Sequence, residues 1–174
     1  MGGVMAAKTA AATVAAADDA RGFDGVLGAS GLHAALEFLN ARTRHRFTGV
    51  YRFDPPLLRC VCLFDRENPA LALGGDVPMC ETYCSIVGGT TAPFGTPDAE
   101  ADARLVRHPA RASTRAYWGV PLCRADGSAF GSLCHFDPRP RLVPERERPL
   151  MEHAAARIAR VVASGLGARR SALD

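Results

Sequence analysis

The run Ala116-Tyr117-Trp118-Gly119-Val120-Pro121-Leu122-Cys123, the turn Ala125-Asp126-Gly127 and the run Ala129-Phe130-Gly131-Ser132-Leu133-Cys134-His135-Phe136-Asp137 decide how this chain is read. Two apolar stretches flanking an Asp-Gly pair are the signal of an antiparallel hairpin, because that pair accepts the positive φ a tight strand reversal needs. Strands are therefore expected over 115–123 and 129–137. Just beyond them Pro144 opens a terminal helix with Glu145 and Glu147 in its first turn, where acids complement the helix dipole. Leu150, Met151, Ala154, Ala155, Ile158, Val161 and Val162 give that helix one apolar stripe, and Gly165 and Gly167 are expected to end it.

Upstream, Phe47, Gly49, Tyr51 and Phe53 alternate with Thr48, Val50, Arg52 and Asp54, the two-residue repeat of a strand. Pro55 and Pro56 force a turn, and Leu58, Cys60, Cys62 and Phe64 alternate again, so a second hairpin is expected here. A helix over 30–42 precedes it, with Ser30 as N-cap and Leu32, Ala35, Leu36 and Leu39 on one face. Between the hairpins the chain is loop-rich. It is expected to hold a short helix over 78–83, the start of a short strand over 85–87 and a helical turn within 97–106. The order is helix, hairpin, loop-rich middle, hairpin, helix, which implies an α+β layer with both terminal helices on one face of an antiparallel sheet and a cavity under the middle segment.

The motif order resembles a GAF domain. Tyr117-x-Gly119-x-Pro121-Leu122, the Asp126-Gly127 turn, Gly131-x-Leu133-Cys134-x-x-Asp137 and the Pro140-Arg141 entry to the last helix occur in the expected sequence. Glu81-Thr82-Tyr83-Cys84 and Asp98-Ala99 ahead of Asp102 and Arg104 resemble the middle of bacterial members. The resemblance implies a six-stranded antiparallel sheet, a ligand cavity on one face and terminal helices that form a homodimer. It divides the chain into an Ala-rich segment 1–25, disordered or loosely helical, a GAF domain at 26–166 and a flexible tail at 167–174. That length leaves no room for an attached output domain, so a signal is expected to pass through a dimer or a separate output protein.

Composition narrows the partners. With 174 residues, 48% of them hydrophobic, the chain fits one globular domain. Its 21 basic and 18 acidic residues are interleaved, as in Glu145-Arg146-Glu147-Arg148, so no nucleic-acid surface is expected. No stretch reads as a signal peptide or a membrane span, which leads us to expect a cytoplasmic protein with six reduced cysteines.

For the cavity, the aromatic set Tyr51, Phe53, Phe64, Tyr83, Tyr117 and Phe136 supplies apolar walls, half of them expected to be simple core. Strand parity, taken with the position of a chromophore-contacting histidine in phytochrome GAF domains, puts Cys134 and Phe136 on the cavity side and His135 against the helices. Arg104, Arg107, His108, Arg111 and Arg115 gather in the roof, and Arg104 or Arg111 turned inward would clamp a carboxylate or phosphate. Cys60 and Cys62 are expected on one strand face, and Cys80 and Cys84 on one helix face, without the knuckle spacing of a zinc site.

These residues make a small-molecule sensor the first reading, with Cys84 also in the ligand wall. The alternative is a thiol redox enzyme or switch of the methionine sulfoxide reductase type, using Cys80, Cys84 or Cys134. Against it, the Gly-Val-Cys-Gly loop of those reductases is absent. The cyclic-nucleotide motif of other GAF domains and the usual nucleophile and phosphate-loop motifs are absent too. No catalytic residue, metal or cofactor is assigned.

Overall fold

The structure is a computed structural model that describes the backbone of residues 2–171 and the side chains of residues 12–165. Six strands form one antiparallel sheet: β1 (Phe47–Asp54), β2 (Leu57–Asp65), β3 (Val77–Pro78), β4 (Phe94–Thr96), β5 (Ala116–Cys123) and β6 (Ala129–Asp137). Their spatial order is β3-β2-β1-β6-β5-β4, so the two hairpins meet at the centre through β1 and β6. The six-stranded antiparallel sheet implied by the resemblance is present. Helices α1 (Gly2–Asn40) and α3 (Arg148–Ser171) cover one face, and α2 (Cys84–Thr90) lies within the loop-rich middle segment. No described helix is long and apolar enough to cross a membrane.

The segment expected to be disordered or loosely helical belongs to α1, which begins far upstream of Ser30. Alanine favours helix, but an isolated helix of this length is marginal in water, and tertiary contact decides whether it persists. That contact comes from Phe23, which is fully buried, so a boundary at residue 26 would cut through the core. Ser30 does not cap a new helix. Gly31, with φ 82° and ψ −175°, reverses the chain there, a conformation glycine adopts at little steric cost. The two arms of α1 lie side by side, with Phe23 and Phe38 ring centroids 6.3 Å apart and Arg42 paired to Asp19 at 2.6 Å. At the other end, α3 continues through Gly165 and Gly167 to Ser171, in place of the expected flexible tail; residues 172–174 lie outside the described residues.

Beneath the helices, Leu36, Val50, Leu122, Leu133, Ala154 and Ile158 are all fully or almost fully buried and join Phe23 in one core. The register of β2 departs from simple alternation. Val50 faces Cys62 while its neighbour Tyr51 faces Cys60, so Val61 is an extra residue, a β-bulge. A one-residue slip exchanges the faces of a strand. Leu58 and Cys60 therefore face away from the helices, whereas Cys62 and Phe64 pack beneath them. The expectation that Cys60 and Cys62 share a face fails for this reason.

In the middle segment, a 3-10 turn at Met79–Glu81 replaces the longer helix expected over 78–83, and the strand expected at 85–87 is instead α2. Cys80 sits in that turn and Cys84 in α2, so no common helix face joins them. The helical turn expected within 97–106 appears at Ala103–Leu105.

Candidate functional site

On the face of the sheet opposite α1 and α3 lies a cavity of about 310 Å³. That is near the small end of the range ligand pockets occupy. Its floor comes from β1, β5 and β6 through Tyr51, Tyr117, Cys134 and Phe136. Leu58 and Val77 form one side, Glu81, Thr82, Tyr83 and Cys84 another, and Ala110, Ser113 and Thr114 close the roof. Two glycines make the floor hollow. A Cβ on Gly49 would lie 2.6 Å from the Tyr51 ring, and one on Gly119 would lie 2.1 Å from the Tyr117 hydroxyl. Each tyrosine thus lies along the sheet over a glycine two residues away on the same face, where any larger residue would push the ring into the cavity.

The polar groups of the wall are mostly occupied. Tyr83 Oη donates to Thr114 O at 3.1 Å, Thr82 Oγ1 to Met79 O at 2.9 Å and Ser113 Oγ to Ala110 O at 3.3 Å. Burial pushes the Tyr83 hydroxyl up to about 12, so it stays a donor at every ordinary pH. The His108 ring lies tilted against Tyr83, with centroids 4.6 Å apart, and accepts from Ala110 N through Nδ1, and burial lowers its pKa. Tyr51 differs: it is only 8% exposed, yet its hydroxyl makes no hydrogen bond to the described residues. Burial raises its pKa far above the usual phenol value, which keeps it protonated.

Cys84 and Cys134 meet in the floor. Both are almost completely buried, and the Cys84 sulfur lies 3.3 Å from Tyr117 Oη. Hydrogen bonds from Cys134 and Tyr117 lower the pKa of Cys84 against the effect of its own burial, while burial and the adjoining sulfur push Cys134 well above. The pair gives up one proton more readily than two, since a second thiolate would be buried beside the first. Among the described residues, no group of three or more His, Cys, Asp or Glu side chains is placed to hold a metal ion.

Of the residues expected to bind ligand, Tyr51, Tyr83, Cys84, Tyr117, Cys134 and Phe136 line the cavity. Four do not. Phe64 lies on the helix face because of the bulge at Val61, and Phe53 packs half-buried near Gly88 of α2. Arg104 is bound to the Asp102 carboxylate at 2.6 Å and to Gly95 O at 2.9 Å, and that pairing holds Asp102 down to about 2. Arg111 donates to Ala99 O at 3.1 Å and Glu100 O at 2.6 Å. With Arg115 paired to Asp98, these arginines staple the roof to itself and leave no inward clamp for an anion. Cys80, the third redox candidate, is exposed and does not line the cavity as the other two thiols do. As strand parity implied, His135 faces the helix side, where Nδ1 meets Thr48 Oγ1 at 2.7 Å and the ring stacks 5.7 Å from His45.

Sequence reasoning missed Leu58, Val77, Glu81, Thr82, Ala110, Ser113 and Thr114 as lining residues. Glu81 and Thr82 carried a signal, since they open the Glu81-Thr82-Tyr83-Cys84 string that supported the resemblance. Leu58 stood in the alternation of β2, read across an unmarked bulge, Val77 lies in a strand of two residues, and Ala110, Ser113 and Thr114 lie in the stretch before β5, where no periodicity marks a face.

No family model and no curated protein sequence matches the chain. Solved structures do. The GAF domain of an Acinetobacter phosphoenolpyruvate-protein phosphotransferase superposes with a TM-score of 0.70 at 13% identity, covering 89% of this chain and 97% of that one. The free methionine-R-sulfoxide reductase of Neisseria meningitidis, solved in complex with its substrate, gives 0.59 at 17% identity over 83% and 91% of the two chains. The chromophore-binding domain of a Stigmatella aurantiaca bacteriophytochrome gives 0.67 at 12% identity over 86% of this chain and 60% of that one. At such identities the fold is what is shared, and six antiparallel strands with terminal helices on one face and a hollow on the other give this chain the fold of a GAF domain.

Proposed function

We propose that the chain is a cytoplasmic sensory module that binds a small molecule in the cavity between the sheet and residues 77–115. The carrying observation is the hollow itself. Three tyrosines and Phe136 surround free space under a roof tied down by its own arginine pairs and hydrogen bonds, an apolar pocket with few polar groups of the kind ligands occupy. Strands β1 and β6 present one face to the cavity and the other to α1 and α3. Occupancy is therefore read at those helices, through a homodimer or a separate output protein. A thermal-shift screen of metabolites tests the reading. A ligand at 100 times its Kd adds about 2.7 kcal/mol, roughly 5 to 10 °C for a chain of this length. If a broad metabolite set moved the melting temperature nowhere, the reading would be lost.

A second reading, a thiol redox enzyme or switch, is favoured by the meeting of Cys84 and Cys134 in the cavity floor, and one structurally similar protein is a methionine sulfoxide reductase. In that chemistry two thiols become one disulfide. The two electrons and two protons reduce a sulfoxide to a thioether, and its oxygen leaves as water. Free thiols counted before and after incubation with methionine sulfoxide should fall by two per chain, and by none in Cys84→Ser or Cys134→Ser. Unchanged thiols in the wild type would remove this reading.

A further inference from the structure

We infer that the cavity takes an amine: a small molecule with an apolar, preferably aromatic, body and a protonated nitrogen held at the Glu81 side. The inference rests on the reading of the cavity as a ligand site and adds the charge and hydrogen-bonding character of what enters. Glu81 is the only charged residue in the lining among the described residues, and its exposed carboxylate forms no ion pair with them. No Arg, Lys or His lines the cavity among the described residues, because Arg104, Arg111 and Arg115 are committed to Asp102, to backbone carbonyls and to Asp98.

The hydroxyls point the same way. Thr82 and Ser113 have already donated their protons to Met79 O and Ala110 O, so toward the cavity they can only accept. A carboxylate, two accepting hydroxyls and the unpartnered Tyr51 hydroxyl together suit a guest that donates several hydrogen bonds. An ammonium group has three donors and no acceptor. The faces of Tyr51, Tyr83, Tyr117 and Phe136 are attractive to a cation and offer flat surface to its apolar body. An anion would find a carboxylate and no compensating charge.

Three probes that share a phenylethyl body separate the cases: phenethylamine, 2-phenylethanol and 3-phenylpropanoate, each titrated calorimetrically into the full chain at pH 7. The amine should bind roughly tenfold more tightly than the alcohol, and the carboxylate more weakly than either. Glu81→Gln, at an exposed position where folding is not at stake, should cost the amine about fivefold and leave the alcohol unchanged. Added salt should weaken the amine alone. Equal binding of amine and alcohol, or tightest binding of the carboxylate, would overturn the inference and leave the cavity reading standing. If all three failed to bind while the metabolite screen also found nothing, both would fall together.

Discussion

The two faces of the sheet solve opposite packing problems with strands they share. Toward α1 and α3 the side chains are aliphatic and interlocked, and a chain of polar groups runs through them, Asn40 Nδ2 donating to Thr48 Oγ1 at 2.9 Å, which bonds His135 Nδ1, while His45 Nε2 and Trp118 Nε1 stay buried without a partner among the described residues. Toward α2 and the roof the residues are aromatic rings and thiols arranged around a hollow, with the Tyr51 hydroxyl left open. The comparison teaches that stability and binding are assigned to different faces, so a substitution should disturb one while largely sparing the other.

The largest expected effect is on the sealed face. Leu133→Ala removes a fully buried side chain from an interlocked core and should cost about 2 to 5 kcal/mol, lowering the melting temperature by roughly 5 to 20 °C. A loss of less than 1 kcal/mol would show that this face is not the close-packed one.

Acid should attack the same face first. Burial depresses His45 to about 4 and His135 to about 3, with their mutual repulsion adding to the shift of His135. In the unfolded chain both titrate near 6.5. Above that pH the advantage of keeping them neutral is complete, and it is lost as pH falls from 6.5 toward 4 because only the unfolded chain takes up protons. His45 alone should account for about 3 kcal/mol by pH 4. Urea midpoints should fall as pH drops from about 6.5 to about 5, ahead of most carboxylate titration; a flat profile would contradict the sealed pair.

The smallest effects give the sharpest contrast, since one oxygen is removed from each face. Thr48→Val breaks the link between Asn40 and His135 and leaves buried groups unsatisfied, at about 1 to 3 kcal/mol. Tyr51→Phe removes a hydroxyl that bonds nothing in the protein and should change stability by about 0.5 kcal/mol or less, while weakening any ligand that uses it. Equal destabilisation by the two substitutions would erase the distinction between the faces.

Much of this arrangement was legible in the chain. Alternation in 47–54 and 58–64 identified one hairpin, the Asp-Gly turn between two apolar runs the other, and strand parity placed Cys134 and His135 on opposite faces. What stayed hidden had particular causes. The bulge at Val61 leaves no mark in an apolar run, yet it moves Phe64 out of the cavity side. Gly31 carries no mark in the sequence that sets it apart, and the lone aromatic Phe23 in an Ala-rich stretch is the one signal that could have shown that this stretch docks. The arginines of the roof suggested an anion site, but Arg104, Arg111 and Arg115 found carboxylates or carbonyls nearby first, and Arg107 lies exposed outside the cavity lining. Edge strand β4, three residues long, is too short for periodicity to register.

The reversal at Gly31 has a mechanical consequence. It lays the first arm of α1 parallel to α3, and Asp24 on that arm meets two residues of α3 one helical turn apart, His153 at 2.9 Å and Arg157 at 3.0 Å. Such half-exposed pairs add little to stability. Their geometry, however, sets the register of the two helices, because one oxygen of Asp24 is held by two successive turns of α3. A slide of one residue, about 1.5 Å, would unseat Asp24 and pull Glu147 from Arg42 in the same step.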